Sequence, residues 1–325
     1  MSRPGVAAIR AVPPAPGTPL SREVAEGNLK PMTPIFGRIL TAMVTPMTPD
    51  GAVDEAAVEK VAAHLLAHGH DGIVVNGTTG EAPTLSADES IRVIEIVAAT
   101  VAGRGAVVAG VGSNDTVHSV EMARRAAAVG ATGALVVTPY YNRPTQAGLL
   151  AHFTAVADAT DLPVIVYDIP SRTGTPIHTE TLQRLSEHPR IVAVKDAKCD
   201  LWAATKVMAA TDLQYYCGAD EFNLAMLCLG AVGVVSVVGH VAGDEYAAMV
   251  KSVEAGDLGA ARAVNERLVP VVEAIMMTSQ GAIMAKAALV ELGVLDSAAV
   301  RLPLLQSPPE HLAVLREGLN RSGIR

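Results

Sequence analysis

Lys195 follows an apolar run, Ile191-Val192-Ala193-Val194, and Asp196 stands directly behind it. Four consecutive apolar residues are typical of a strand that is buried on both faces, as in a parallel sheet. Burial disfavours the charged ammonium and lowers the pKa of a lysine, so a neutral amine becomes available to attack a ketone and form a Schiff base. The alternative is a solvated lysine that marks the end of the sheet, and Lys195 alone does not decide between the two.

Two further segments carry polar residues directly after apolar runs. The segment Asn76-Gly77-Thr78-Thr79-Gly80-Glu81 predicts a loop whose backbone N–H groups and hydroxyls could hold a carboxylate or a phosphate. Tyr167 and Arg172 lie five residues apart with a proline between them. They could serve as a proton relay and a carboxylate clamp, or they could be an interface tyrosine and a surface arginine.

The scarcity of aromatic residues favours the functional reading of the tyrosines. The chain has three Phe, one Trp and six Tyr, and three of the tyrosines, Tyr140, Tyr141 and Tyr167, stand at the ends of apolar runs. Residues this rare that gather at one kind of position are better explained as polar reactive groups than as core filler.

The elements that would position these residues recur along the chain. Short apolar runs begin 20 to 34 residues apart, and most intervals contain a segment with helical spacing; the runs are Ile39–Val44, Gly72–Val75, Ala106–Ala109, Gly133–Val137, Val164–Tyr167, Ile191–Val194, Leu213–Cys217 and Gly233–Val237. Eight alternations of strand and helix predict a (β/α)8 TIM barrel of the α/β class, with an open doubly wound sheet as the alternative. In such a barrel, chemistry gathers at the carboxyl ends of the strands.

Helical patterns alone follow the eighth run, over residues 242–255, 257–275, 279–291 and 309–321. This is more helix than one barrel unit needs, so the sequence predicts a C-terminal helical extension packed against the barrel. The predicted organisation is a mobile tail over residues 1–36, rich in Pro, Ala and Gly, then the catalytic barrel over 37–257 and a helical bundle over 258–325.

Composition excludes several classes of protein. The formal net charge of −8 disfavours a surface that binds nucleic acid or an anionic membrane. The three cysteines are few and lack metal-ligand spacing, so we expect reduced cysteines in a cytoplasmic protein. Residues 222–243 contain no Asp, Glu, Lys or Arg, yet three glycines interrupt them, so helix, turn and buried strand are favoured over a membrane span.

Three other motifs are weaker than they first look. His64, His68 and His70 have partial metal-ligand spacing, but they precede the second strand and so belong at the face opposite Lys195, where we expect surface or capping histidines. Gly110-Val111-Gly112 lacks the third glycine of a dinucleotide fingerprint, because Asp115 stands there. A Gly-x-Ser-x-Gly nucleophile elbow is absent from the sequence.

Four motifs, in order and suitably spaced, resemble the dihydrodipicolinate synthase/N-acetylneuraminate lyase family, and most of all its actinobacterial synthases; they are Gly77-Thr78-Thr79-Gly80-Glu81, Val137-Thr138-Pro139-Tyr140-Tyr141, Tyr167-Asp168-Ile169-Pro170-Ser171-Arg172 and Val194-Lys195-Asp196-Ala197. The resemblance runs from about Gly37 to the C-terminus. It implies a lyase of the class I aldolase type, usually a homotetramer built as a dimer of dimers, that needs no metal or organic cofactor.

The resemblance also implies substrates and residue roles. Lys195 would form the Schiff base with pyruvate, whose carboxylate Thr78 and Thr79 would bind. Tyr167 and Thr79 would relay protons, and Tyr141 would complete the relay in the site of a neighbouring subunit.

The second substrate implied by the resemblance is L-aspartate 4-semialdehyde, and the product is 4-hydroxy-tetrahydrodipicolinate, a precursor of lysine and diaminopimelate. Arg172 would clamp the carboxylate of the aldehyde, and Val235 would line the substrate site. Two alternatives are a sibling aldolase or lyase that acts on a sugar acid or another aldehyde, and a non-catalytic paralogue. Arg172 disfavours the first, and the complete set of reactive residues disfavours the second.

The chain departs from the family pattern at a few positions. Asp168 replaces an asparagine that many relatives have, and Ala82 replaces a frequent serine. Ala87 and Ser90 stand where lysine-inhibited relatives often carry histidines, and His118 stands where they carry an acidic residue. These replacements disfavour feedback inhibition by lysine, and the sequence alone leaves lysine sensitivity open.

Overall fold

The computed structural model describes residues 33–325, in which parallel strands close into a barrel with each strand hydrogen-bonded to its neighbours in chain order. The strands are β1 (Ile39–Ala42), β2 (Gly72–Val75), β3 (Ala106–Gly110), β4 (Gly133–Val137), β5 (Val164–Asp168), β6 (Ile191–Asp196), β7 (Gln214–Cys217) and β8 (Gly233–Ser236). Pairing of β8 with β1 completes the closure, so the (β/α)8 prediction is confirmed and the open sheet is excluded.

Helices surround the barrel and continue beyond it. Their bounds are α1 (Glu55–Ala67), α2 (Ala87–Val101), α3 (Thr116–Ala128), α4 (Gln146–Asp158), α5 (Pro170–Thr173), α6 (Thr179–Leu185), α7 (Leu201–Ala210), α8 (Asn223–Leu229), α9 (Gly239–Glu254), α10 (Leu258–Val272), α11 (Gly281–Glu291) and α12 (Pro309–Arg321). A π-helical turn, Glu273–Met277, follows α10. Residues 33–325 form one compact unit, which confirms the predicted C-terminal helical extension.

Capping side chains fix where the first two helices begin. Asp54 accepts the backbone N–H of Ala57 at the start of α1. Ser86 and Glu89 form a reciprocal capping box at the start of α2, in which the side chain of each residue accepts the backbone N–H of the other. Asp and Ser are among the residue types that most favour an N-cap position.

The N-terminal end of the barrel is closed by an aromatic plug. Phe36 is buried, and its ring centroid lies 6.3 Å from that of Tyr216, whose hydroxyl donates a hydrogen bond to the carbonyl of Gly37. Gly133 makes room for the plug, since a Cβ there would lie 2.4 Å from the Phe36 ring. The packed chain thus begins at least as early as Phe36, inside the segment predicted as a tail; the rest of that prediction, residues 1–32, lies outside the described residues.

The histidine segment differs in part from expectation. His68 is exposed, but His70 is buried, with Nε2 at 2.7 Å from the Thr41 hydroxyl and Nδ1 near two backbone carbonyls. Burial lowers the pKa of His70 to about 4, so this imidazole is neutral at physiological pH. His70 is therefore buried rather than at the surface, and its contacts with the carbonyls of Leu65 and His68 at the end of α1 agree with the capping alternative.

The uncharged stretch over residues 222–243 contains α8, β8 and the start of α9, as predicted. In residues 33–325 no helix is both long enough and apolar enough to cross a membrane.

Candidate active site

Lys195 points into the barrel near the carboxyl end of β6. The strand runs on to Asp196 rather than ending before the lysine, because Lys195 faces the interior while its neighbours face the helices. Lys195 is 4% exposed, and its Nζ lies 4.2 Å from the ring centroid of Tyr167, its register partner on β5. Burial lowers the pKa of Lys195 to about 8, which agrees with the expectation of a partly neutral amine.

Two residues that the sequence interpretation missed shape the surroundings of this lysine. Gly218, just after β7, leaves space for the side chain, because a Cβ there would lie 2.9 Å from Cγ and 3.0 Å from Cε of Lys195. The negative charge of Asp220 raises the pKa of Lys195 and so opposes part of the effect of burial. A glycine immediately after a strand is the signal that could have indicated such a close approach.

Asp220 itself is fixed by a network at the end of β8. Its carboxylate accepts the backbone N–H groups of Val237 and Val238 at 2.8 and 3.1 Å and the Ser236 hydroxyl. The position of this carboxylate near Lys195 is thus fixed by two backbone N–H groups and one hydroxyl.

Tyr167 is held by its backbone and by its hydroxyl. Both the backbone N–H and the hydroxyl of Thr138 donate to the Tyr167 carbonyl at 3.0 Å. The Tyr167 hydroxyl is hydrogen-bonded to the side chain of Thr78. Burial raises the pKa of Tyr167 to about 12, while the charge of Arg172 and the Thr78 hydrogen bond lower it in part. The phenol is therefore protonated and able to donate.

The loop after β2 brings Thr78, and not Thr79, to the Tyr167 hydroxyl. Thr78 is thus the threonine whose effect on the phenol the structure supports, and the relay role of Thr79 stays a prediction. Thr79 is buried beside Thr78, where it can still take part in binding a carboxylate. The turn depends on left-handed backbone at Asn76 and Glu81, with φ of 55° and 56°.

A cavity of about 550 Å³ lies beside Thr78 and Tyr167. Its wall also includes two other residues of the predicted site, Tyr140 and Arg172. Four positions at which the chain departs from the family pattern line the same cavity: Ala82, Ala87, Ser90 and His118. The charge of Arg172 lowers the pKa of both Lys195 and Tyr167. Arg172 is thus placed to hold an anionic group between the cavity and the lysine.

Two predicted residues lie outside this cluster. Val235 is buried, and its register partner is Leu40 on β1, so the two side chains share the interior face of the barrel. Tyr141 is 88% exposed and has φ of 72°. Within the described chain, its hydroxyl therefore does not reach the Lys195 pocket.

Asp168 faces outward, behind Tyr167. Its carboxylate lies 3.1 Å from Lys198 Nζ and accepts the backbone N–H of Ile177 at 3.2 Å. Burial raises the pKa of Asp168 to about 6, and Lys198 opposes that shift. The ammonium partner explains how a carboxylate is accommodated where many relatives have an amide.

A closed (β/α)8 barrel with a buried, partly neutral lysine beside a protonated phenol provides the nucleophile and the proton donor that an aldolase-type lyase needs. The family model described as "Dihydrodipicolinate synthetase family" matches residues 35–321. The chain belongs to this family.

Individual relatives agree with that assignment. The chain is 56% identical over 295 residues, 91% of this chain and 96% of the relative, to a 4-hydroxy-tetrahydrodipicolinate synthase from Kineococcus radiotolerans. It is also similar to the crystal structure of the DHDPS from Cyanidioschyzon merolae with lysine bound, with a TM-score of 0.87 and 40% identity over 90% of this chain and 99% of that one.

A third similar structure is that of the chloride-inhibited dihydrodipicolinate synthase from Acinetobacter baumannii, complexed with pyruvate. Its TM-score is 0.86 and its identity 36%, over 90% of this chain and 100% of that one. The actinobacterial resemblance expected from the motifs is confirmed by the first relative.

Proposed function

We propose that this chain catalyses the 4-hydroxy-tetrahydrodipicolinate synthase reaction of lysine biosynthesis, the condensation of pyruvate with L-aspartate 4-semialdehyde by a lyase of the Schiff-base type. The observation that carries the proposal is the buried Lys195 with its pKa lowered to about 8, beside Tyr167. Relatives about half identical over about nine tenths of the chain support the same reaction and substrates.

Lys195 is the nucleophile in the first half of the reaction. Its neutral amine attacks the ketone carbon of pyruvate, and the carbinolamine that forms loses its hydroxyl as water to give the protonated imine. Loss of a proton from the pyruvate methyl group then gives the enamine. Thr78 and Thr79 hold the pyruvate carboxylate, and Val235 packs beneath the substrate.

Protons in these steps pass through Tyr167. Its neutral phenol donates to the departing hydroxyl, and the resulting phenolate is stabilised by the Thr78 hydroxyl and the charge of Arg172. Tyr141 of the partner subunit, reaching in from outside, would connect Thr78 to solvent. This role fits the exposure and the left-handed backbone of Tyr141. It requires at least a dimer, and we expect a homotetramer built as a dimer of dimers.

The second half joins the two substrates. The enamine carbon attacks the aldehyde carbon, which forms the new C–C bond, and the resulting alkoxide takes a proton. The amino group of the second substrate then attacks the imine carbon, closes the ring and displaces the Lys195 amine. Arg172 holds the carboxylate of the semialdehyde, and the whole sequence needs no metal or organic cofactor. We expect the enzyme to act in the cytoplasm, where pyruvate is available.

The test is pyruvate-dependent turnover of aspartate semialdehyde, coupled to dihydrodipicolinate reductase and followed as loss of NADPH. Lys195→Ala is compared with Lys198→Ala, a lysine three residues away that faces the helices. We expect only Lys195→Ala to abolish both turnover and borohydride trapping of pyruvate. An adduct in Lys195→Ala would contradict the assignment, and trapping without turnover in the wild type would direct the search to other aldehydes or sugar acids.

A further inference from the structure

The loop that carries Thr78 and Thr79 is held from behind by a buried carboxylate. Glu81 is 3% exposed, and its left-handed backbone turns its side chain away from the reacting groups. The backbone N–H of Glu81 donates to the carbonyl of Thr78 at 3.2 Å. A displacement of Glu81 is therefore passed on to Thr78, whose hydroxyl contacts Tyr167.

The partners of this carboxylate come from the C-terminal extension. Lys286 on α11 has no exposed surface, and its ammonium forms an ion pair with Oε1 of Glu81. The same ammonium donates to the carbonyl of Ala299 at 2.7 Å. The backbone N–H of Arg301 donates to Oε2 of Glu81 at 2.9 Å, so both carboxylate oxygens are bound by residues more than 200 positions away in sequence.

The guanidinium of Arg301 binds the segment that follows Glu81 in the chain. It donates to the carbonyl of Thr84 at 2.7 Å and to that of Gly51 at 2.8 Å. It also pairs with Glu89, the capping residue of α2, and this pairing lowers the pKa of Glu89 to about 2. Residues 81–89 are thus fixed at both ends by one segment of the extension.

Stability alone is a poor explanation for this arrangement. Burial lowers the pKa of Lys286 and opposes the effect of Glu81, which shows that the ammonium loses much of its hydration. A buried ion pair often contributes no more to stability than apolar side chains of similar volume. Unlike an apolar contact, however, it fixes distance and direction, and both matter next to a loop that must present two hydroxyls.

We propose that Lys286 and Arg301 are positioning residues for the pyruvate half-site. Lys286 acts through Glu81, and Arg301 acts both through Glu81 and through its guanidinium contacts with Thr84 and Glu89. Together they set the place of Thr78 and Thr79, although neither touches the substrate. The helical extension is then a functional part of the catalytic unit. This inference rests on the proposed function only for its pyruvate step, so its main readout, trapping of pyruvate on Lys195, does not depend on the identity of the aldehyde.

The test measures the pyruvate concentration that half-saturates borohydride trapping on Lys195. The paired variant Glu81→Gln/Lys286→Met removes both buried charges together and keeps an acceptor for the Arg301 N–H. Arg316→Gln is the matched control, because it breaks an ion pair to Glu291 within the same extension, far from the loop. All three proteins are compared at a temperature well below their thermal unfolding midpoints.

We expect the paired variant to require about 10- to 100-fold more pyruvate, as displacements of about 1 Å near a reacting centre do, while the control matches the wild type. In the coupled assay, KM for pyruvate should rise more than KM for the aldehyde. An unchanged pyruvate requirement in the folded paired variant, or an equal rise in both KM values, would overturn the proposal, since the second pattern is that of general loosening.

A milder variant keeps the test decisive if the paired variant fails to fold. Arg301→Met leaves the Glu81–Lys286 pair intact and removes only the partly exposed guanidinium. We expect it to raise the pyruvate requirement roughly threefold or more, in the same direction. A pyruvate requirement equal to that of the wild type would then count against the proposal. Wild-type turnover of the semialdehyde reports separately on the proposed function.

Discussion

Lys195 and Tyr167 are register partners on adjacent strands, and the ammonium nitrogen of one lies 4.2 Å from the ring centroid of the other. The same burial shifts their pKa values in opposite directions, to about 8 for the amine and about 12 for the phenol. Both groups are thereby driven toward their neutral forms. Schiff-base formation needs a neutral nucleophile and a protonated donor at once, and a shared dry environment favours both.

Formation of the pyruvate adduct should follow the titration of Lys195. Below pH 8 the ammonium predominates, so the initial rate of adduct formation should fall about tenfold per pH unit and level off above pH 8. Cyanoborohydride trapping at short times and limiting pyruvate, between pH 6 and 9, gives the profile. A midpoint near that of free lysine, about 10.4, would mean that the amine is not desolvated as the structure indicates.

Thr78→Val and Thr79→Val should differ in which kinetic constant they change. Thr78 contacts the Tyr167 hydroxyl, so its loss should lower kcat by about 10²-fold or more, the range expected for general acid–base groups. Thr79→Val, isosteric and one residue away, should mainly raise KM for pyruvate. Steady-state kinetics with both substrates distinguishes the two variants. A larger fall in kcat for Thr79→Val than for Thr78→Val would indicate that Thr79 is the proton-relay residue.

Gly218→Ala should impair catalysis while the fold survives. The added Cβ would meet Cγ and Cε of Lys195 at 2.9 and 3.0 Å, so the amine must shift, and we expect a loss of about 10- to 100-fold in kcat/KM. Gly259→Ala on α10 is the control, because its new Cβ meets nothing closer than 3.4 Å. Circular dichroism checks the fold. A Gly218→Ala variant with the kcat/KM of the wild type would contradict the prediction, because the Lys195 side chain would then accommodate the added Cβ without moving its amine.

L-Lysine should be a poor inhibitor. Ala87, Ser90 and His118 line the cavity beside the active site, and they lack the histidines and the acidic charge present in lysine-inhibited relatives. Initial rates with excess lysine should therefore match those without it. The triple variant Ala87→His/Ser90→His/His118→Glu should gain inhibition relative to the wild type, whereas strong inhibition of the wild type would show that other wall residues suffice.

The barrel could be predicted because each strand contains a short, mainly apolar run that is recognisable from its own residues. Strand bounds shifted where the local rule is incomplete: β6 continues through Lys195 and Asp196 because one polar side chain enters the barrel and the next finds partners behind it. The burial of His70 could not be read locally for a similar reason, since its partner Thr41 lies in β1, about 30 residues earlier in the chain.

The site was predictable as a set of strand-end residues but not in its contacts. Which threonine meets Tyr167 depends on the left-handed turn at Glu81, and that turn is held by Lys286 and Arg301. Nothing local to either segment indicates this pairing. Asp220 was missed in the same way, because its influence on Lys195 arises only when β7 lies beside β6.

The aromatic plug formed by Phe36 and Tyr216 also bears on the order of events. Because these two side chains fill the N-terminal end, we expect substrates and product to pass through the opposite end, where the cavity beside Tyr167 lies. If pyruvate bonds to Lys195 as proposed, it would lie deeper than the second substrate. We then expect pyruvate to bind first and the product to leave before the next pyruvate enters.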